Sequence, residues 1–180
     1  MDSKAFETFK HAIKDADDLL AHFDSINAKP PPPEAEVLKR ASLVMALAAL
    51  ETYMEDRAME WCAALAGRDG GRLSKFYRDS LESDLKYFHT PNSQRIKTLF
   101  QKYFGIDVTA FWSWNNYDPV RARTELDRLA KKRGDIAHRS WRPKPGESSQ
   151  HAVTRDEMRK NLRFIRDLVG ATDMGLRTGA

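Results

Sequence analysis

The ten residues Ala41-Ser42-Leu43-Val44-Met45-Ala46-Leu47-Ala48-Ala49-Leu50 contain one polar side chain, a serine. A helix that is apolar on nearly every side must be covered on several sides. The run therefore predicts the central helix of a bundle, and its alanines let neighbouring helices come close. The helix is expected over residues 34–66, ended by Gly67 and the Gly70-Gly71 pair. Glu51 is the only charged residue between Ala41 and Met54. A carboxylate in that position either lies at the rim of the core or is paired, because an isolated buried charge is costly.

Helical spacing of apolar residues recurs along the rest of the chain. Residues 2–24 carry Phe6, Phe9, Ile13, Leu20 and Phe23 among charged residues, and Pro30 to Pro33 then form an extended connection. Residues 72–89 place Leu73, Phe76, Tyr77, Leu81, Leu85 and Phe88 on one side. After Thr90-Pro91-Asn92-Ser93, residues 93–104 present Ile96, Leu99, Phe100, Tyr103 and Phe104, closed by Gly105. The aromatic connection Phe111, Trp112, Trp114 and Tyr117 reads as a plug at one end of the bundle. Its alternative role, base stacking, usually goes with a sheet or an open groove, and no strand pattern is present.

Asp118-Pro119 is a capped helix start, and the helix is expected to run to about Arg139 with Val120, Leu126, Leu129, Ile136 and Ala137 inward. Residues 141–150 read as an exposed loop. Thr154 and Glu157 form a capping box for a last helix carrying Met158, Leu162, Ile165, Leu168 and Val169. The fold class is all-α, an up-and-down bundle of about five or six helices. One domain is expected over residues 1–172, with its core in 35–170 and a disordered tail over 173–180.

A chain of 180 residues buries about two-thirds of its unfolded surface, enough for a full core. No apolar run is long enough to span a membrane, and the first residues lack the apolar centre of a signal peptide. Cys62 is the only cysteine, which excludes an intramolecular disulfide and a cysteine-based metal site and suits a reducing cytoplasm. There is no glycine-rich phosphate loop and no paired Cys/His spacing, so neither a cofactor nor a metal is expected. The net charge is +4, but Pro119 to Pro145 holds nine Lys/Arg against three Asp/Glu, a local balance of +6. Such a segment on a near-neutral body suits a polyanion, with nucleic acid the first candidate. A solvated helix face is the other reading.

Within that basic segment lies Arg133-Gly134-Asp135-Ile136-Ala137-His138. Five positions along a helix turn by about 140° and rise about 7.5 Å, so Arg133 and His138 do not share a stripe. Both side chains are long enough to converge on a phosphodiester. RNA cleavage by 2′-hydroxyl attack needs a base, an acid and a cation to stabilise the charged phosphoryl oxygens. An imidazole serves as acid or base near neutral pH, and a guanidinium offers fixed charge and a bidentate fork. One histidine is few for two proton transfers, and a two-fold dimer would bring two into one cleft. DNA, without the 2′-hydroxyl, is not a substrate by this route. The plain alternative is that His138 caps the C-terminus of its helix.

The hexapeptide Arg133–His138, ending Ile136-Ala137-His138-Arg139, resembles the Arg-x4–6-His signature of the HEPN superfamily of helical ribonucleases. The helix Leu43 to Glu55, with Glu51 and the following Tyr53, is similar to the family's apolar first core helix, and Met158 to Val169 is similar to its closing helix. The order of these elements over residues 35–170 most resembles the RiboL-PSP-HEPN type of bacterial defence and RNA-processing systems. The resemblance implies a homodimeric helical bundle with a metal-independent endoribonuclease site that leaves a 2′,3′-cyclic phosphate. It implies Arg133 and His138 as the catalytic pair and Glu51 as the acidic position beside them. Where the family commonly has a polar residue, typically asparagine, this chain has Gly134, with Asp135 adjacent as a substitute.

On this reading Arg133 stabilises the phosphorane, His138 moves protons, and Glu51 or Asp135 orients them. Lys131, Lys132, Arg139 and Arg142 grip flanking phosphates of RNA, and an antitoxin or defence-system protein is the expected partner. The alternative is a non-catalytic helical module that binds RNA, a nucleotide or a protein. A structural domain with a solvated basic face is the third reading.

Overall fold

A computed structural model describes residues 2–26, 32–66, 71–139 and 153–178 of the chain. Six α-helices follow one another: α1 (Lys4–Ile26), α2 (Pro33–Ala66), α3 (Arg72–Leu85), α4 (Ser93–Phe104), α5 (Pro119–Arg139) and α6 (Arg155–Thr178), with one turn of 3-10 helix at Val108–Phe111. Among the described residues there is no strand, only an isolated bridge between Trp114 and Tyr117. The chain is thus an all-α bundle, as its periodicity indicates. Pro30 and Pro31 of the proline connection, Gly67 and Gly70, the loop at 141–150 with Arg142, and the side chain of Arg139 lie outside the described residues.

Helix α2 is central because its surface demands it. Leu43, Ala46, Leu47, Ala49, Leu50, Tyr53, Met54 and Ala58 are all buried, and α2 touches each of the other five helices. The approach of α1 is close: the buried Ser42 hydroxyl donates to the Ala16 carbonyl at 2.6 Å. Helix α1 lays Phe9, Ile13, Leu20 and Phe23 into the core. Each such side chain contributes about 1.5–3 kcal/mol. That stripe, rather than single bonds such as Ala5 N–H to Glu60 at 2.8 Å, each worth about 1 kcal/mol, holds α1 in place.

The aromatic connection is a plug. Trp112 is fully buried, and its indole N–H donates to Thr172 Oγ1 at 2.9 Å. Trp114 and Tyr117 pack against Phe164 of α6, with ring centroids 5.7 and 5.2 Å away. Phe111 lies so close to Gly175 that a Cβ there would stand 2.3 Å from Phe111 Cγ. These contacts continue α6 to Thr178 and correct the expectation of a tail from residue 173: Thr172, Asp173 and Leu176 are all buried.

Two apolar faces also differ from their sequence reading. In α3, Leu73 and Phe76 are 80% and 70% exposed, and Leu81 is the residue that enters the core. The helix stops at Leu85 rather than 89, and a turn carries Phe88 inward. In α5, Val120 and Ala137 face out, while Ala122, Leu126, Leu129 and Ala130 are buried. The inward stripe therefore keeps the expected Leu126, Leu129 and Ile136 and departs from expectation at Val120 and Ala137. Followed along the helix at spacings of three and four, it passes through Arg133 and the partly buried Ile136.

One buried ion cluster ties α2 to α6. Asp173 is fully buried, with Arg57 Nε 3.3 Å from one carboxylate oxygen and Arg177 Nε 3.2 Å from the other. Breaking a buried pair on one side leaves the partner charge uncompensated. Asp173→Ala is expected to cost about 3 kcal/mol, read as a lowered midpoint in urea denaturation. A change below about 0.5 kcal/mol would mean that Arg57 finds water instead.

Candidate functional site

The site is built where α5 meets α2 across the connection between α3 and α4. Asp118 caps α5 by accepting the Arg121 N–H at 2.9 Å, and the helix runs through Gly134 without a break to Arg139. A Cβ at Gly134 would meet nothing within 4 Å, so packing does not require the glycine. Arg133, on the inward stripe, is half-buried. Its Nη1 donates to Thr90 Oγ1 at 2.9 Å. The Thr90 amide donates to Glu51 Oε2 at 3.1 Å, and the other Glu51 oxygen lies 3.6 Å from His89 Nδ1. The one charged residue between Ala41 and Met54 is thus paired, and Glu51 and Arg133 are joined through one threonine.

The connection itself is held from every side. Thr90 has φ of 60°, a left-handed conformation that is an outlier for a β-branched residue. Such a conformation persists only where the surroundings over-determine it. Here Glu51 fixes the amide and Arg133 the hydroxyl, and the Arg95 guanidinium bonds the preceding carbonyl of His89. Asn92 then caps α4 through the Arg95 N–H at 2.8 Å. Asp127 of α5 accepts both the amide and the hydroxyl of Ser93, at 2.7 and 2.8 Å.

Around this centre the electrostatics are mixed. Glu55, one turn after Glu51, has its carboxyl pushed up by burial and by the neighbouring Glu51 carboxylate. His138 is exposed and makes no hydrogen bond or ion pair among the described residues. Asp135 is half-buried and Lys131 is exposed. Lys132 is engaged: its ammonium lies 2.8 Å from Glu157, which Arg128 also reaches at 3.2 Å. Thr154 in turn caps α6, its Oγ1 accepting the Glu157 N–H at 3.1 Å. Arg139 ends α5, and neither its side chain nor Arg142 is among the described groups.

The structure therefore brings Glu51 and Arg133 together and adds two residues that the sequence reading did not single out, His89 and Thr90. The contacts of Thr90 to Glu51 and Arg133 span 39 and 43 residues of sequence, and His89 reads in the sequence as the end of a helix. Among the described residues no group of three or more His, Cys, Asp or Glu side chains is arranged to hold a metal ion. Nor is any helix among them long and apolar enough to cross a membrane.

Two outcomes follow from these contacts. Burial raises the Glu157 carboxyl, but its bonds to Lys132 and Arg128 outweigh burial and hold it below the ordinary value of 4.5. A depressed carboxyl stabilises the fold fully above its unfolded value and loses that contribution as pH falls through the folded value. Glu157→Gln is therefore expected to lower stability at pH 7 and to flatten the acid limb of a stability–pH curve below about pH 4.5. Separately, Thr90→Val keeps the branched shape and removes the acceptor for Arg133. It is expected to cost about 1 kcal/mol in urea denaturation with unchanged helical content by circular dichroism. Undiminished stability would show that Arg133 is held by other contacts.

Comparison with known families gives one match. The family model RiboL-PSP-HEPN covers residues 9–174, from within α1, well before the core expected from residue 35, to the buried part of α6. No curated protein and no solved structure matches the chain significantly.

Proposed function

Because the chain belongs to the RiboL-PSP-HEPN family, we propose that it is a metal-independent endoribonuclease that cleaves RNA by 2′-hydroxyl attack and leaves a 2′,3′-cyclic phosphate. The observation that carries this reading is the placement of Arg133. Its guanidinium is held by one bond to Thr90, and the planar fork keeps further donors for a phosphoryl group. A preorganised cation needs no rearrangement as charge builds on the phosphorane oxygens.

His138 follows on the same helix, exposed and without a partner among the described residues, as a group that exchanges protons with substrate must be. Glu51 acts behind Arg133, through Thr90, rather than on the phosphate itself. Asp135 is the acidic side chain nearest in sequence to the arginine and takes the orienting role that Gly134 leaves open. Lys131, Arg139 and Arg142 attract flanking phosphates, and Lys132 does so only at the expense of its bond to Glu157. The chain works as a homodimer in the cytoplasm, in antiviral defence or as a toxin restrained by a cognate protein.

The test is incubation of the purified chain with labelled single-stranded RNA in excess EDTA, beside Arg133→Ala and His138→Ala. Cleavage by the parent alone, with cyclic phosphate ends, is expected, and each variant is expected to lose about 10²–10⁴-fold in rate. RNA binding without cleavage, by a chain that folds normally, would replace this reading with the non-catalytic binding module. Cleavage that survives both substitutions would place the activity elsewhere.

A further inference from the structure

His89 has the geometry of a working imidazole. Its Nδ1 faces Glu51 Oε1 at 3.6 Å, while its side chain is 70% exposed. A carboxylate on the Nδ1 side favours the proton there and leaves Nε2 as the acceptor nitrogen. The backbone that carries it is not a free loop end. The His89 carbonyl is bonded by Arg95, and the next residue, Thr90, holds both Glu51 and Arg133. Arg133 therefore bonds the residue that follows His89 in the chain. The charged groups that act on this imidazole are Glu51 and Glu55 of α2, while Arg95 of α4 bonds the His89 carbonyl and Arg133 of α5 the hydroxyl of the next residue.

We propose that His89, positioned by Glu51, is the proton acceptor for the attacking 2′-hydroxyl, acting in the same chain as Arg133 and His138. The inference rests on the ribonuclease reading above and deepens it. As the 2′-oxygen–phosphorus bond forms, His89 Nε2 takes the hydroxyl proton. As the phosphorus–O5′ bond breaks, protonated His138 gives its proton to the departing oxygen. Each histidine ends in the other's starting state, and both are exposed, so solvent resets them. The two proton transfers then need no histidine from a second subunit, and Glu51 becomes a positioning residue for an imidazole as well as for Thr90.

The test compares two substrates in excess EDTA: a diribonucleotide, and a uridine 3′-(4-nitrophenyl phosphate), whose leaving group departs without a proton. His89→Ala is expected to lower kcat about 10²–10⁴-fold on both, because the 2′-hydroxyl must be deprotonated in each. His138→Ala is expected to fail on the diribonucleotide and to retain most of its rate on the nitrophenyl ester. Glu51→Gln, which keeps an oxygen for the Thr90 amide, is expected to lower kcat to a smaller extent with KM unchanged. Circular dichroism checks the fold of each variant.

Wild-type kcat in His89→Ala, with Arg133→Ala inactive, would overturn the role of His89 and leave the ribonuclease reading standing. An inactive parent on both substrates would overturn both. Mixing the His89→Ala and His138→Ala proteins is expected to restore nothing. Recovery would show that the two histidines act across subunits and would overturn the same-chain assignment.

Discussion

The burial of α2 is the constraint from which the other elements take their places. A helix whose Leu43, Leu47, Leu50, Tyr53 and Met54 are all buried has no face to spare for water, so five helices surround it. The demand is not uniform along its length. At Glu51 the helix presents a charge, and the cover there cannot be another apolar stripe. It has to be a donor. The α3–α4 connection supplies one, the Thr90 amide, and thereby turns a weak point in the core into the floor of a site. Packing and chemistry meet at one carboxylate.

The same logic explains why Arg133 is where it is. Position 133 continues the stripe that buries Ala122, Leu126, Leu129 and Ala130, a place where a leucine would be ordinary. An arginine on that stripe can lay its aliphatic stem along the bundle and must find an acceptor for its head. Thr90 Oγ1 is that acceptor. A side chain placed by the core is more sharply oriented than one on an open surface, which suits a group that stabilises a transition state. His138, five residues on, falls off the stripe and stays in water. The motif's spacing thus separates a held cation from a solvent-exposed imidazole.

The helices were legible because apolar period and capping chemistry are local. Asp118 and Thr154 cap as their positions suggest, and the resemblance carried by Arg133, His138 and Glu51 leads to the family that the chain belongs to. What was not legible depends on partners far away in sequence. Leu73 and Phe76 have helical spacing yet face out, because the neighbour of α3 in the bundle meets Leu81. The last turns of α6 look polar and end in glycine, yet Asp173 is needed by Arg57 and Gly175 by Phe111. Thr90 announces nothing in the sequence. Its positive φ is imposed by bonds to α2 and α5, and a β-branched residue would not be assigned it on local preference.

The basic segment takes on a different meaning once its partners are known. Read as a sum, it offers an excess of +6 between Pro119 and Pro145 to any polyanion. In the fold, Arg128 is bound to Glu125 and Glu157, and Lys132 to Glu157, so part of that charge serves to fasten α6 to α5. Exposed pairs of this kind are each worth little to stability, but they neutralise the middle of the helix. Among the described residues the basic side chains of α5 that make no ion pair lie at both ends of the helix, Arg121 and Arg123 near its start and Lys131 and Arg133 toward its end. The Glu157 cluster therefore divides the positive surface of α5 into two ends rather than leaving it continuous along the helix.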